Sequence, residues 1–137
     1  MNRYDGKKLL VGKTSHLSEN DYQILCDNTK PLKKYGLEVH FKALSEEEEV
    51  NGIDLKTLEG FHAIALDATN GGGPTVEGIR DSKMNIGVIG LLPNVSEYAT
   101  FQQKFISYSR GVNRLLINVR DADKFIREVD LVLRRYS

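Results

Sequence analysis

The sequence has one cysteine, no net charge, three prolines and no long apolar run. Each scarcity excludes something. A lone Cys26 rules out an internal disulfide and fits a reducing, cytoplasmic compartment. It stands beside Leu25 in a helical stretch and reads as a core residue rather than a nucleophile. Nineteen Lys and Arg against nineteen Asp and Glu leave no global charge to draw in nucleic acid or a membrane surface. No apolar stretch approaches the ~20 residues that a membrane helix needs. The start, Met1 to Gly6, has no signal-peptide pattern. Internal repeats, low-complexity tracts and linkers are also missing. What remains is 137 residues with 40% hydrophobic content, enough for one core and a single domain over 1–137.

The stretch 61–74 organises the rest. Phe61 to Leu66 is a short apolar run, bounded by Glu59 and Gly60 before it and by Asn70, Gly71, Gly72, Gly73 and Pro74 after it. That is how a buried strand running into a loop reads. Asp67 stands at the carboxyl end of this strand, where ligands and chemistry collect in open parallel sheets.

Around it, apolar runs at 7–12, 37–44, 84–91 and 112–117 predict four more strands. Helical stretches separate them. Ser18 with Asp21 and Ser45 with Glu48 have capping-box spacing. Pro31 falls inside the first helical stretch and predicts a break near 28–30. Glu46 to Glu49 reads as a solvated helix start rather than a metal site. Pro74 suits the first turn of a helix reaching about Asp81. Asn94 with Glu97 predicts the next cap, and Val95, Tyr98, Phe101, Phe105 and Tyr108 form the stripe expected to pack on the sheet. Ile106 lies off that stripe and favours an external contact. The last helix, opened by Asp121 or Asp123, carries Phe125, Ile126, Val129, Val132, Leu133 and Tyr136 inward and Lys124, Arg127, Arg134 and Arg135 outward. Strands alternating with helices predict an α/β fold, a flavodoxin-like (βα)5 unit with a five-stranded parallel sheet and helices on both faces.

Three constellations were weighed for chemistry. The loop Asn70, Gly71, Gly72, Gly73 ahead of a helix has backbone N–H groups able to cradle a phosphate, but it matches neither the dinucleotide fingerprint nor the P-loop. It is read first as a flexible loop, then as a ligand or contact loop. His16, His40 and His62 lack zinc-ligand spacing, with His40 expected to face outward and His62 to mark a strand entry. His16 follows the first strand as in the Asp-x-His loop of cobalamin-binding domains, but Thr14 replaces that aspartate. No metal and no cofactor is expected.

Over nearly its whole length the chain resembles the receiver domain of two-component response regulators. The segment Leu32-Lys33-Lys34-Tyr35-Gly36-Leu37-Glu38-Val39 is similar to the end of that family's first helix and the start of its second strand. His62-Ala63-Ile64-Ala65-Leu66-Asp67 is similar to its third strand, which ends in the phospho-acceptor aspartate. Ser109-Arg110-Gly111-Val112-Asn113-Arg114-Leu115-Leu116 is similar to the approach to its fifth strand. The resemblance implies a set of working residues. Two acids after the first strand join the acceptor in holding Mg²⁺, a Thr or Ser ends the fourth strand, a Lys ends the fifth, and an aromatic stands on the fifth.

This chain keeps only the acceptor, Asp67. The acidic pair falls among Gly12, Lys13 and Thr14, Gly90 takes the hydroxyl place, Asn118 the lysine place and Leu115 the aromatic place. Val119 replaces the usual proline, and Pro74 and Gly78 come about three residues late. The resemblance therefore implies a degenerate receiver, a non-catalytic pseudo-receiver that acts through a protein partner or a homodimer, with Asp67 vestigial. As part of a longer signalling protein it would use a face around Ile106, Leu115 and Arg127. Lys13 is expected to replace the metal by pairing with Asp67, the alternative being a solvated side chain. Two rival functions stay open: an atypical receiver phosphorylated on Asp67, and a small-ligand or nucleotide sensor using the glycine loop.

Overall fold

The alternation of short apolar runs with helical stretches resolves into one parallel sheet. A computed structural model describes residues 2–92 and 97–136, with 97–101 as backbone only. Its strands are β1 Lys8–Lys13, β2 Glu38–Ala43, β3 Ala63–Leu66, β4 Gly87–Leu91 and β5 Arg114–Leu116. Its helices are α1 Glu19–Asn28, α2 Lys30–Lys34, α3 Glu46–Asn51, α4 Gly73–Asp81, α5 Glu97–Arg110 and α6 Ala122–Arg135. The strand order is β2-β1-β3-β4-β5, with every neighbouring pair parallel. This is the flavodoxin-like architecture expected from the alternation.

Strand period two divides the core into two layers. Leu9, Val11, Ala63, Ala65, Ile89 and Leu91 face one side and pack with Leu25 of α1, Leu32 of α2 and Phe125, Val129 and Val132 of α6. Leu10, Ile64, Leu66 and Val88 face the other side and pack with Val76 and Ile79 of α4 and with Ile53 and Leu58. Phe125 is fully buried, and truncating such a ring typically costs about 3–5 kcal/mol.

The helix signals act as expected. The Ser18 hydroxyl accepts from Asp21 N, and Ser45 and Glu48 close a complete capping box. The chain breaks at Thr29, because Pro31 cannot donate into a continuous helix and opens α2 instead. Asp121 caps α6. β2, β3, β4 and β5 come out shorter than their apolar runs, and β1 keeps its length but starts one residue later. Before β3, His62 turns its Nδ1 to accept from Lys8 N at 3.1 Å, and Phe61 meets His40 edge-on. The expected cap of Asn94 with Glu97, and the places of Val95, Tyr98 and Phe101 in the stripe, lie outside the described residues.

None of the six residues of β2 is buried. The crossover after it consists only of the six-residue α3 and a 3-10 turn, Leu55–Leu58. One face of the sheet is therefore open beside β2.

Candidate functional site

Asp67 lies just past β3 and is only 3% exposed. Its own loop satisfies it. Oδ1 accepts from Thr69 N at 3.0 Å, Thr69 Oγ1 at 2.8 Å and Asn70 N at 3.1 Å, and Oδ2 accepts from Asn70 Nδ2 at 3.4 Å. Aspartate bonding backbone two and three residues on is a local turn, formed at little entropic cost. The Asp67 carbonyl then accepts from Gly72 N at 2.8 Å. The carboxylate thus organises the loop that leads into α4.

The glycines of that loop are packing positions. Gly71 has φ +97°, and a Cβ there would strike the Glu49 carboxylate. Gly73 leaves room for the Arg110 guanidinium, which donates through Nη1 to Ala68 O at 2.5 Å and lies 3.5 Å from Glu77. The last residue of α5 is thereby tied across the Asp67 loop. Glu49 also corrects the reading of residues 46–49 as wholly solvated. Its Oε1 accepts from Ser15 N at 2.7 Å and Ser15 Oγ at 3.0 Å, clamping the β1–α1 loop to α3. Helix-start charge gave the sequence no reason to single out Glu49, because its partners are more than thirty residues away.

Lys13 departs from expectation. Continuing the β1–β3 register sets it beside Asp67, yet its ammonium lies 3.4 Å from Glu19 and 3.5 Å from Thr14 O. The described interactions of the Asp67 carboxylate all come from Thr69 and Asn70. A nearby turn supplied donors sooner than a long side chain could. Gly12 is buried with no room to spare, since a Cβ would come within 3.3 Å of Leu66. Thr14 is buried, and its hydroxyl has no hydrogen-bond partner among the described residues. β4 ends at Leu91, where the apolar run ended, with Gly90 just before it, and neither residue carries a hydroxyl. Asn118 is exposed and caps a turn, its Oδ1 accepting from Arg120 N at 3.1 Å. Among the described residues no three His, Cys, Asp or Glu side chains come together as a metal site.

No family model and no curated protein matches this chain. Solved structures do. The receiver domain of the Francisella response regulator 1452 is similar over 96% of this chain and 99% of its own, with a TM-score of 0.66 at 17% identity. The BeF3-activated DrrB receiver domain gives 0.65 at 17% identity, over 94% of this chain and 98% of its own. A CheY-like receiver domain protein from Methanospirillum hungatei gives 0.60 at 18% identity, over 96% and 98%. This chain has the receiver fold.

In this receiver fold the described part of α5 and the residue after β5 carry exposed apolar side chains. Phe105 is 72% exposed, Tyr108 56%, Ile106 40% and Ile117 37%. Ile106 is at the surface, as its place off the stripe suggested. Phe105 and Tyr108 are not in the core, contrary to the stripe reading. The buried face of α5 carries Ser107, whose carbonyl accepts from Val112 N and closes the C-terminal turn, while Arg110 anchors the helix end on Ala68. Periodicity identified a stripe but not the side it faces. Beside it, Leu115 is half-buried and Arg127 exposed. Arg114 pairs with Glu128 of α6, a carboxylate 8% exposed, and the hydrogen bond to that carboxylate raises the Arg114 pKa further. Only the fold could reveal Glu128, which sits among outward-facing charges in the sequence.

Proposed function

We propose that this is a pseudo-receiver, a non-enzymatic signalling domain that works through protein contact independently of aspartyl phosphorylation. The observation that carries the reading is Asp67 itself, 3% exposed and bonded by its own loop. Phosphoryl transfer to an aspartate depends on positioning and on charge neutralisation by a metal and cations. Gly12, Lys13 and Thr14 offer no carboxylate for a divalent ion, and Lys13 is engaged by Glu19. An acceptor in this setting lacks both the metal and free oxygens. The lone cysteine and balanced charge support a cytoplasmic location, and the described helices include none long and apolar enough to cross a membrane.

The contact surface is the exposed side of α5, β5 and α6. Phe105, Ile106 and Tyr108 of α5 supply apolar and aromatic anchors, with half-buried Leu115 on β5, exposed Ile117 after it and exposed Arg127 on α6. Aromatic and arginine side chains dominate the energetics of such surfaces. Nothing in the sheet needs these rings, so a protein partner is the reason to keep them exposed. The test is amide NMR during titration with Mg²⁺ and beryllofluoride, a phosphoryl mimic. The reading predicts no saturable shift at Thr69 or Asn70, and a saturable one would overturn it. A Phe105→Ser, Arg127→Glu variant should fold with unchanged stability and lose partner binding. Unchanged binding would show the face to be wrongly assigned.

A further inference from the structure

The other edge of the sheet carries a different surface. β2 is the outer strand, six residues long, and pairs only with β1. Glu38 N donates to Lys7 O and Leu44 N to Lys13 O. The alternation of a strand then directs the backbone of 38, 40, 42 and 44 toward β1, and that of Val39, Phe41 and Ala43 outward. Outside the ladder no described residue bonds the backbone of these three. An uncovered edge of this length is a template for another strand.

The side chains of β2 say which strand. One face reads Glu38, His40, Lys42, and the other Val39, Phe41. Natural edges are blunted by charge that repels a copy of itself. Here the charges are opposite and symmetric about His40. An antiparallel copy centred on His40 sets Glu38 opposite Lys42 on both sides of the axis, and Val39 opposite Phe41. Val39 and Phe41 are the residues whose outward N–H and C=O groups would exchange hydrogen bonds. A shift of one pair sets either His40 against Lys42 and Glu38 against Leu44, or Glu38 against His40 and Lys42 against Gly36, and in both directions the two Glu38–Lys42 pairs are lost. Opposite charges and aromatic-to-branched pairs across a join each stabilise it, and like charges oppose it.

The neighbouring residues extend the match. Lys8 lies 3.3 Å from Glu38, and Lys42 lies 3.0 Å from Glu48. In the centred register these become a row of alternating sign, Lys8, Glu38, then Lys42 and Glu48 of the second copy. The row would lie on the open face of the sheet, where a trough of about 470 Å³ is lined by Lys8, Leu10, His40, Lys42, Glu48 and Phe61. No long helix covers that face beside β2. On the opposite face Phe41 remains 37% exposed beside Tyr22, with Lys33 over its ring at 5.0 Å. At the centre of the join His40, whose Nε2 lies 2.5 Å from Glu38 Oε2, meets its own copy.

We propose that the chain dimerises through β2, by antiparallel pairing with a second copy about His40, making one continuous ten-strand sheet. The contact is isologous. It leaves α5, β5 and α6 free at the far edge, so dimerisation and partner docking are separate events.

The experiment is sedimentation equilibrium on the whole domain, with Glu38→Lys and Lys42→Glu made singly. The wild type is expected to be dimeric, and each variant to self-associate about tenfold or more weakly, because like charges then face each other twice. Mixed in equal amounts, the two variants are expected to form a heterodimer of wild-type strength, since every facing pair is again opposite in sign. Amide exchange at Val39 and Phe41 is expected to slow as the wild-type concentration rises, and Phe105→Ser is expected to leave the dimer intact. A wild type that stays monomeric to ~1 mM, weaker than about 4 kcal/mol of association, overturns the proposal. So does a dimer that neither charge variant weakens, or a mixture that fails to associate.

Discussion

If the Asp67 carboxylate is a loop organiser, replacing it has a cost that depends on geometry rather than charge. Asp67→Ala removes the acceptor of Thr69 N, Thr69 Oγ1, Asn70 N and Asn70 Nδ2 together. A hydrogen bond to a charged acceptor contributes about 1.5–3 kcal/mol net, and a buried donor left unpaired costs ~1–3 kcal/mol. Thr69 and Asn70 are only half-buried, so water replaces part of what is lost. The expected loss is therefore roughly 2–4 kcal/mol, not the sum of four bonds. For a chain of this size that lowers Tm by about 10 °C. Asp67→Asn keeps an oxygen at the Oδ1 position, and asparagine forms the same turn. It should cost about 1 kcal/mol or less, with Asn70 reorienting its amide to suit. The assay is urea unfolding, with the slope held equal across variants. An Ala variant that unfolds at the wild-type midpoint would refute the reasoning. An Asn variant that falls as far as Ala would refute it too, because charge and not turn geometry would then hold the loop.

Other outcomes follow from the same contacts. In a double-mutant cycle of Lys13→Met and Asp67→Asn read by unfolding, the coupling should be within about 0.5 kcal/mol of zero, because Lys13 pairs with Glu19; a coupling above ~1 kcal/mol would contradict that geometry. The hydrogen bond from Ser45 N, then Lys42, holds the Glu48 carboxyl below its ordinary value of 4.5. Its contribution is therefore present above pH 4.5 and lost as pH falls through the lowered value. Glu48→Gln should flatten that acid limb of the stability curve, and an unchanged limb would assign it to other groups. Gly71→Ala, forced to φ +97° against Glu49, should destabilise by about 1–3 kcal/mol, and a neutral result in unfolding would show that the Ser15–Glu49–Gly71 clamp yields freely.

Much of the fold was legible because its signals are local. Pro31 marked the break at Thr29, Ser45 and Glu48 formed their capping box, Asp121 capped α6, and the apolar runs fell on five parallel strands. The places of Asp67 just past β3 and of Gly12, Lys13 and Thr14 at the end of β1 were legible for the same reason. What failed were statements about direction and distance. The α5 stripe had the right period, but Phe105 and Tyr108 turned outward because the other face is anchored by Arg110 on Ala68. Lys13 had the right register and the wrong partner, since Thr69 and Asn70 lie closer along the chain to Asp67. Glu49, Glu128 and Arg110 looked like surface charge, and only tertiary contacts give them work.

Intact-mass spectrometry reads directly whether Asp67 accepts a phosphoryl group. The domain is incubated with acetyl phosphate and Mg²⁺ under conditions that label a working receiver to completion, alongside Asp67→Asn. No gain of phosphoryl mass is expected in either protein, because the Asp67 oxygens are held by Thr69 and Asn70 and no carboxylate stands at Gly12, Lys13 or Thr14 to hold a metal. Stoichiometric labelling that requires Mg²⁺ and vanishes in Asp67→Asn would contradict it.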